Sequence, residues 1–131
     1  MKKVYEFLKK CGTFYLATAE GDQPRVRPFG AVDLFDDKIY IQTGKVKAVS
    51  KQMKKNPKVE ICGMLGDDRW IRISAETEED PRLEAQRHML DTNPVLKSMY
   101  KAGDGNTQVL FLKNATATFY SFGGKPETVK F

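Results

Sequence analysis

The sequence predicts a small β-barrel of the α+β class, with six or seven antiparallel strands and short flanking helices. Three observations carry this. Segments rich in β-branched and aromatic residues recur along the chain, most of them joined by short turns. The helical patterns between them are short. The length of 131 residues, 40% hydrophobic and 30% charged, suits a single domain, residues 1–131, with a core of its own.

Each element has a local reason. Residues 2–10 read as an amphipathic helix, with Val4, Phe7 and Leu8 on one face, four lysines off it, and Gly12 as its end. TFYLATAE, 13–20, is a strand. Gly21-Asp22 turns into a second strand over 24–35, interrupted by Pro28 and Gly30. Proline cannot donate to a strand ladder, so Pro28 marks an edge, a bulge or a bend. Asp36-Asp37 turns into KIYIQT, 38–43, which alternates cleanly. A helix follows at about 46–55, with Val46, Val49 and Met53 as its apolar stripe, and Asn56-Pro57 stops it.

Residues 58–64 form the next strand, and Gly66-Asp67-Asp68 turns into RWIRISAETE, 69–78. There Ile71 and Ile73 are the better core residues, which turns Trp70 outward. Asp80 is placed to cap a helix with Pro81 at its first position, and Asn93-Pro94 repeats the device for a second short helix. Strands at 107–113 and 115–122 precede a tail, SFGGKPETVKF.

Absences narrow the chemistry. The two cysteines, Cys11 and Cys62, stand alone, and no Cys/His cluster has metal-binding spacing, so no metal site is expected. No nucleophile elbow, zinc-protease motif, Walker loop or Rossmann glycine pattern occurs. His88 is the only histidine, in a helical stretch, where surface or core placement outweighs catalysis. The carboxylates between Glu76 and Asp80 precede Pro81 and suit a helix start better than paired acid–base work. With no signal peptide and no apolar run long enough to span a membrane, the expected setting is a reduced cytoplasm.

Charge is uneven. The net charge is +5, and residues 1–65 hold 13 Lys+Arg against 7 Asp+Glu. Residues 38–58 alone hold seven lysines and no acid, in the order strand, Thr43-Gly44, lysine-bearing helix, Asn56-Pro57, strand. A helix N-terminus with unpaired N–H groups suits an anion. A hairpin at Asp36-Asp37 would set the strand carrying Arg27 beside KIYIQT. Arg27, Thr43, Gly44 and Lys47 would then converge on one phosphate: a bidentate cation, a hydroxyl, a close backbone approach and a point charge. Lys51 lies one turn beyond Lys47 on the same face, where a solvated lysine is an equal expectation.

RVRPFGAVDLFDDKIYIQTGKVKAVSKQMKKNPKVEICG, the later WIRISAE and the closing YSFGGKPETVKF together resemble the pyridoxamine 5′-phosphate oxidase-like proteins. The nearest branch is the small one that includes Nim-type nitroimidazole-resistance proteins and general-stress-protein relatives. The resemblance covers nearly the whole chain. It implies an FMN-binding split barrel and a homodimer with two flavins at the subunit interface. Arg27 matches the strand arginine on the FMN phosphate, Thr43 the threonine ending the next strand, and Asn56-Pro57 the helix stop. Pro28 and Phe29 follow Arg27 in the motif and join the cofactor-binding candidates, as does Trp70, whose outward face suits a dimer interface or a flavin edge.

The true oxidases carry Ser-Arg-Lys at the helix start, where this chain has Lys47-Ala48-Val49. Lys47 and Lys51 are the candidates to replace that charge. This departure, and the lack of an evident second phosphate clamp near the C-terminus, argue against pyridoxamine phosphate as substrate. The resulting expectation is an FMN-dependent oxidoreductase, related to flavin reductases, nitroreductases or pyridoxamine phosphate oxidases, acting on a small molecule. Its catalytic residues, electron donor and substrate stay open, as does a deazaflavin in place of FMN. The alternative is a flavin or haem carrier or sensor on the same barrel. Nucleic acid is disfavoured, because no aromatics interleave with the lysines of 45–58.

Overall fold

Alternating apolar and polar residues make the strands, and the breaks between them set the topology. The computed structural model describes residues 1–131. Helix α1 is Lys2–Cys11, followed by β1 (Phe14–Glu20), β2 (Gln23–Phe29), β3 (Val32–Phe35) and β4 (Lys38–Gly44). Helix α2 (Ala48–Lys55) leads into β5 (Lys58–Leu65) and β6 (Arg69–Glu79). Helix α3 (Leu83–Thr92) and a 3-10 helix, Pro94–Ser98, precede β7 (Thr107–Ser121) and β8 (Glu127–Lys130).

The strands form one antiparallel sheet in the order β2-β1-β5-β6-β7-β4-β3, with β8 paired to the second half of β7. The sheet curls round a shared core to which all of β1–β7 contribute, and α1 adds Val4 and Leu8 while α2 adds Val49 and Met53. It does not close. Its two ends are β2 and β3, which are consecutive in the chain and joined only by Gly30-Ala31. This is the expected α+β split barrel, and the Pro28–Gly30 break is its seam. A smaller cluster, Ala31, Tyr40, Ala85, Met89 and Val109, packs α3 on the other face of β4.

Several elements differ from the sequence expectation. Residues 24–35 are two strands at opposite ends of the sheet. The two strands expected over 107–122 are one, Thr107–Ser121, with a register shift opposite Ser74 and Glu76 of its partner and Asn114 at φ 50°. The tail pairs through β8, and Phe131 exchanges two backbone hydrogen bonds with Ala115. Helix α2 starts later than expected, because the Lys47 N–H turns back to the Gly44 carbonyl and the Val46 N–H donates to Asn106 Oδ1. Val46 is therefore 74% exposed and lies off the apolar stripe.

Asp80 does not cap α3, whose N-cap is Arg82. Strand β6 runs on to Glu79, and the Asp80 N–H still donates to the Val109 carbonyl. Its buried carboxylate accepts from the Tyr40 hydroxyl at 2.7 Å and from Arg82, whose guanidinium and backbone N–H both point at it. These hydrogen bonds, Arg82's first, hold Asp80 well below the usual carboxylate range. Asp80 thus pins the end of β6 and the start of α3 to β4.

Candidate functional site: a basic cleft at the seam

The seam opens a cleft of about 270 Å³. The end of β2 brings Arg27, Pro28 and Phe29 to it, and the end of β4 brings Gln42 and Thr43. The turn into α2 brings Lys47, and the 3-10 helix region walls the far side with Val95, Leu96, Met99 and Tyr100. No acidic residue lines it.

Arg27 points into the barrel because its partner Leu16 does, and paired antiparallel residues share a face. Its Nη1 donates to Thr18 Oγ1 at 2.8 Å and to the Leu16 carbonyl at 3.3 Å, and its Nη2 donates to Gln52 Oε1. All three acceptors are neutral, so the guanidinium is aimed without being neutralised. Burial, with Arg25 adding to it, pulls its pKa below the ordinary value. A half-buried cation without a carboxylate is a standing attraction for an anion. Lys47 sits at the N-cap of α2 in extended backbone, with no acid in the helix's first turn. The first N–H groups of that helix add a partial positive charge.

Five of the eight residues singled out from the sequence therefore meet on one cleft: Arg27, Pro28, Phe29, Thr43 and Lys47. They meet by a different route from the one expected. The Asp36-Asp37 hairpin joins β3 to β4, with Val32 opposite Ile41, so Arg27's strand is not β4's neighbour. Arg27 faces Thr43 across the seam instead, because the break after Phe29 sends β2 to the opposite end of the sheet.

The other three lie elsewhere. Gly44 ends β4 beneath the loop before β7, where an added Cβ would stand 3.0 Å from the Asn106 amide and 3.3 Å from the Tyr100 ring. Lys51 lines a neighbouring hollow between α2 and the Glu20-Gly21 turn. Trp70 lies on the outer face of the sheet, stacked on Tyr120 at 5.3 Å with its edge contact to Phe122 at 5.4 Å.

Sequence reasoning missed the wall and Gln42. Asn93-Pro94 was legible only as a helix start, although Asn93 Nδ2 also ties the 3-10 helix to the Val32 carbonyl. Gln42 left no signal of its own, since a polar residue beside Thr43 at the end of a strand is ordinary; the structure buries it. His88 is off the cleft. Its Nδ1 meets buried Asp33 at 2.6 Å and its ring lies against Phe35, fastening α3 to β3. No group of His, Cys, Asp and Glu is arranged to hold a metal ion. Both cysteines are free, and no helix is long and apolar enough to cross a membrane.

The family model for pyridoxamine 5′-phosphate oxidase matches residues 1–121. No curated protein matches the sequence. Among solved structures, a NimC/NimA family protein from Clostridium acetobutylicum is 49% identical, with a TM-score of 0.97 over 100% of this chain and 92% of that one. General stress protein 26 from Bacillus anthracis is 17% identical, with a TM-score of 0.79 over 99% of this chain and 97% of that one. A pyridoxamine 5′-phosphate oxidase-related, FMN-binding protein from Nostoc punctiforme is 13% identical, with a TM-score of 0.72 over 99% and 95%. The last two show likeness of fold.

Proposed function

The chain belongs to the pyridoxamine 5′-phosphate oxidase family, in its Nim-type branch, and on that premise we propose that it is an FMN-dependent oxidoreductase acting on a small molecule. The observation that carries this reading is the convergence of Arg27, Thr43 and Lys47 on a cleft without acids. One compact anion corner suits a monophosphate, whereas FAD or a pyridine dinucleotide brings a pyrophosphate that calls for a glycine-rich turn. The opposite wall is largely apolar and offers a planar ring a surface to lie against.

The residues fit the group. Arg27, Thr43 and Lys47 would hold the phosphate, Phe29 and the 3-10 helix would exclude water from the ring, and buried Gln42 offers an unpartnered amide. Bound FMN supplies the electron-transfer chemistry through its own ring, so the protein need only bind, orient and shield it. The replacement of Ser-Arg-Lys by Lys47-Ala48-Val49 argues against pyridoxamine phosphate as the substrate. Haem is the weaker occupant, because the only histidine is held by Asp33 away from the cleft.

We further propose a homodimer in the cytoplasm. Trp70, Tyr120, Met64 and Phe122 form an outward apolar patch, and Phe122 is 71% exposed. A second copy is the occupant that covers it without adding a new kind of partner. The test of the cofactor is titration of the apo-protein with FMN and FAD. The expected result is a flavin spectrum and tighter FMN binding. Tighter FAD binding, or a Soret band in the protein as isolated, would overturn the assignment.

A further inference from the structure

Gln42 is the one residue whose buried side-chain polar atoms lack partners: neither Nε2 nor Oε1 of its amide makes a hydrogen bond. The residue is 6% exposed, and both amide atoms are shut off from bulk solvent. Other buried polar side chains do find partners, Thr18, Ser50, Gln52 and Gln108 among them. An unpaired buried amide costs stability, and natural folds keep few of them. Its surroundings explain why nothing internal pairs with it. Val109 lies opposite on β7, and Asn93 gives its Nδ2 to the Val32 and Met89 carbonyls.

Gln42 also lines the cleft. It is consecutive with Thr43, so the two side chains leave opposite faces of β4. The cleft thus wraps round the end of the strand, with the cationic corner on one side and the amide on the apolar side. We propose that Gln42 is the specificity-determining residue of the cleft, pairing with a ring that carries a carbonyl beside an N–H: a cyclic imide or a carboxamide. An amide both donates and accepts, so it matches that edge and no simple hydrocarbon or carboxylate edge. Two sources present this chemistry, the pyrimidine ring of the flavin and a carboxamide on the substrate side. The first rests on the flavin reading above. Seating either ring needs only a rotamer change at Gln42, the ordinary scale of adjustment on binding.

The test compares the wild-type protein with Gln42→Met, which keeps the side chain's length and removes both polar atoms. Probes are FMN, riboflavin (the ring without the phosphate), inorganic phosphate and nicotinamide. The expected result has two parts. The apo variant melts higher than wild type, because an unpaired amide is gone. FMN and riboflavin bind about tenfold more weakly, the worth of one or two neutral hydrogen bonds, while phosphate binds as before. Weakened nicotinamide binding with unchanged flavin binding assigns the same chemistry to the substrate. Equal affinities for all probes overturn the proposal. So does a lower melting temperature of the apo variant, since the amide would then have partners inside the fold. A wild-type protein that binds no FMN sinks the flavin reading alone, and the nicotinamide arm still judges Gln42.

Discussion

Replacing Arg27 by methionine removes the charge and keeps most of the stem. In the apo-protein the loss is small. The three acceptors are neutral, and Gln52 Oε1 keeps the Thr18 hydroxyl at 2.6 Å after the guanidinium is gone. The Leu16 contact, at 3.3 Å, is the longest of the three. One net hydrogen bond is worth about 1 kcal/mol, and removing a half-buried uncompensated cation offsets part of it. The expected shift in melting temperature is a few degrees. A charge-assisted bond to a phosphate is worth about 1.5–3 kcal/mol, so FMN affinity falls roughly tenfold to a hundredfold. Fluorescence titration at fixed salt measures the affinity, and circular dichroism confirms the fold. Lys47→Ala, at a more exposed position, gives a smaller loss in the same direction. Unchanged FMN affinity in both variants would refute the placement of the phosphate.

Trp70 is the only tryptophan, so its emission reports one place. If the flavin ring lies near the outer face of β6 in the dimer, saturating FMN quenches that emission strongly. Untouched emission returns Trp70 to ordinary surface packing against Tyr120. Sedimentation at micromolar concentration should give twice 14.9 kDa, and Trp70→Ala should weaken association by about 2 kcal/mol. A clean monomer that still holds FMN contradicts the shared interface. Acid and base limbs of stability should separate at the Tyr40–Asp80 pair. Asp80 is held low by Arg82, so its contribution is present above about pH 4 and fades as pH falls below it. Burial, then Asp80, pushes the Tyr40 hydroxyl up to about 12, so its contribution is whole below about pH 10 and lost towards pH 12. Urea midpoints against pH should lose the acid limb in Asp80→Asn and the alkaline limb in Tyr40→Phe, the latter at a cost of about 1 kcal/mol. Profiles parallel to wild type would rule the pair out as the source.

The barrel was legible because strand alternation is a local property. Ile71 and Ile73 against Trp70, and Val4 and Leu8 against the lysines of α1, each follow from spacing of two or of three to four. What spacing does not carry is which strands pair. Pro28 and Gly30 signalled a break, but a bend within one strand and a crossing to the far end of the sheet leave the same trace in the sequence. Arg27 and Thr43, both singled out from the sequence, line one cleft, yet their meeting depends on that crossing. Asp80 was misread as a cap because Pro81 follows it. Only the tertiary approach of Tyr40, forty residues away, shows where its carboxylate is spent. Gln42 and the wall at Val95–Tyr100 were silent for the same reason: no pattern within either segment records that the other lies opposite.

Arg27 rides on a strand with a neighbour on one side only. Strand β2 pairs with β1 and nothing else, and Pro24 and Pro28 withhold two backbone donors from it. Opening such an edge costs far less than global unfolding, since only β1 loses a partner and the rest of the sheet keeps its pairings. Fraying of the seven residues of β2 would carry Arg27 out of the cleft, giving an anion held there a route of release that leaves most of the sheet intact. On that route, how long an occupant stays would answer to the opening of β2, while how tightly it is held would answer to the residues of the cleft.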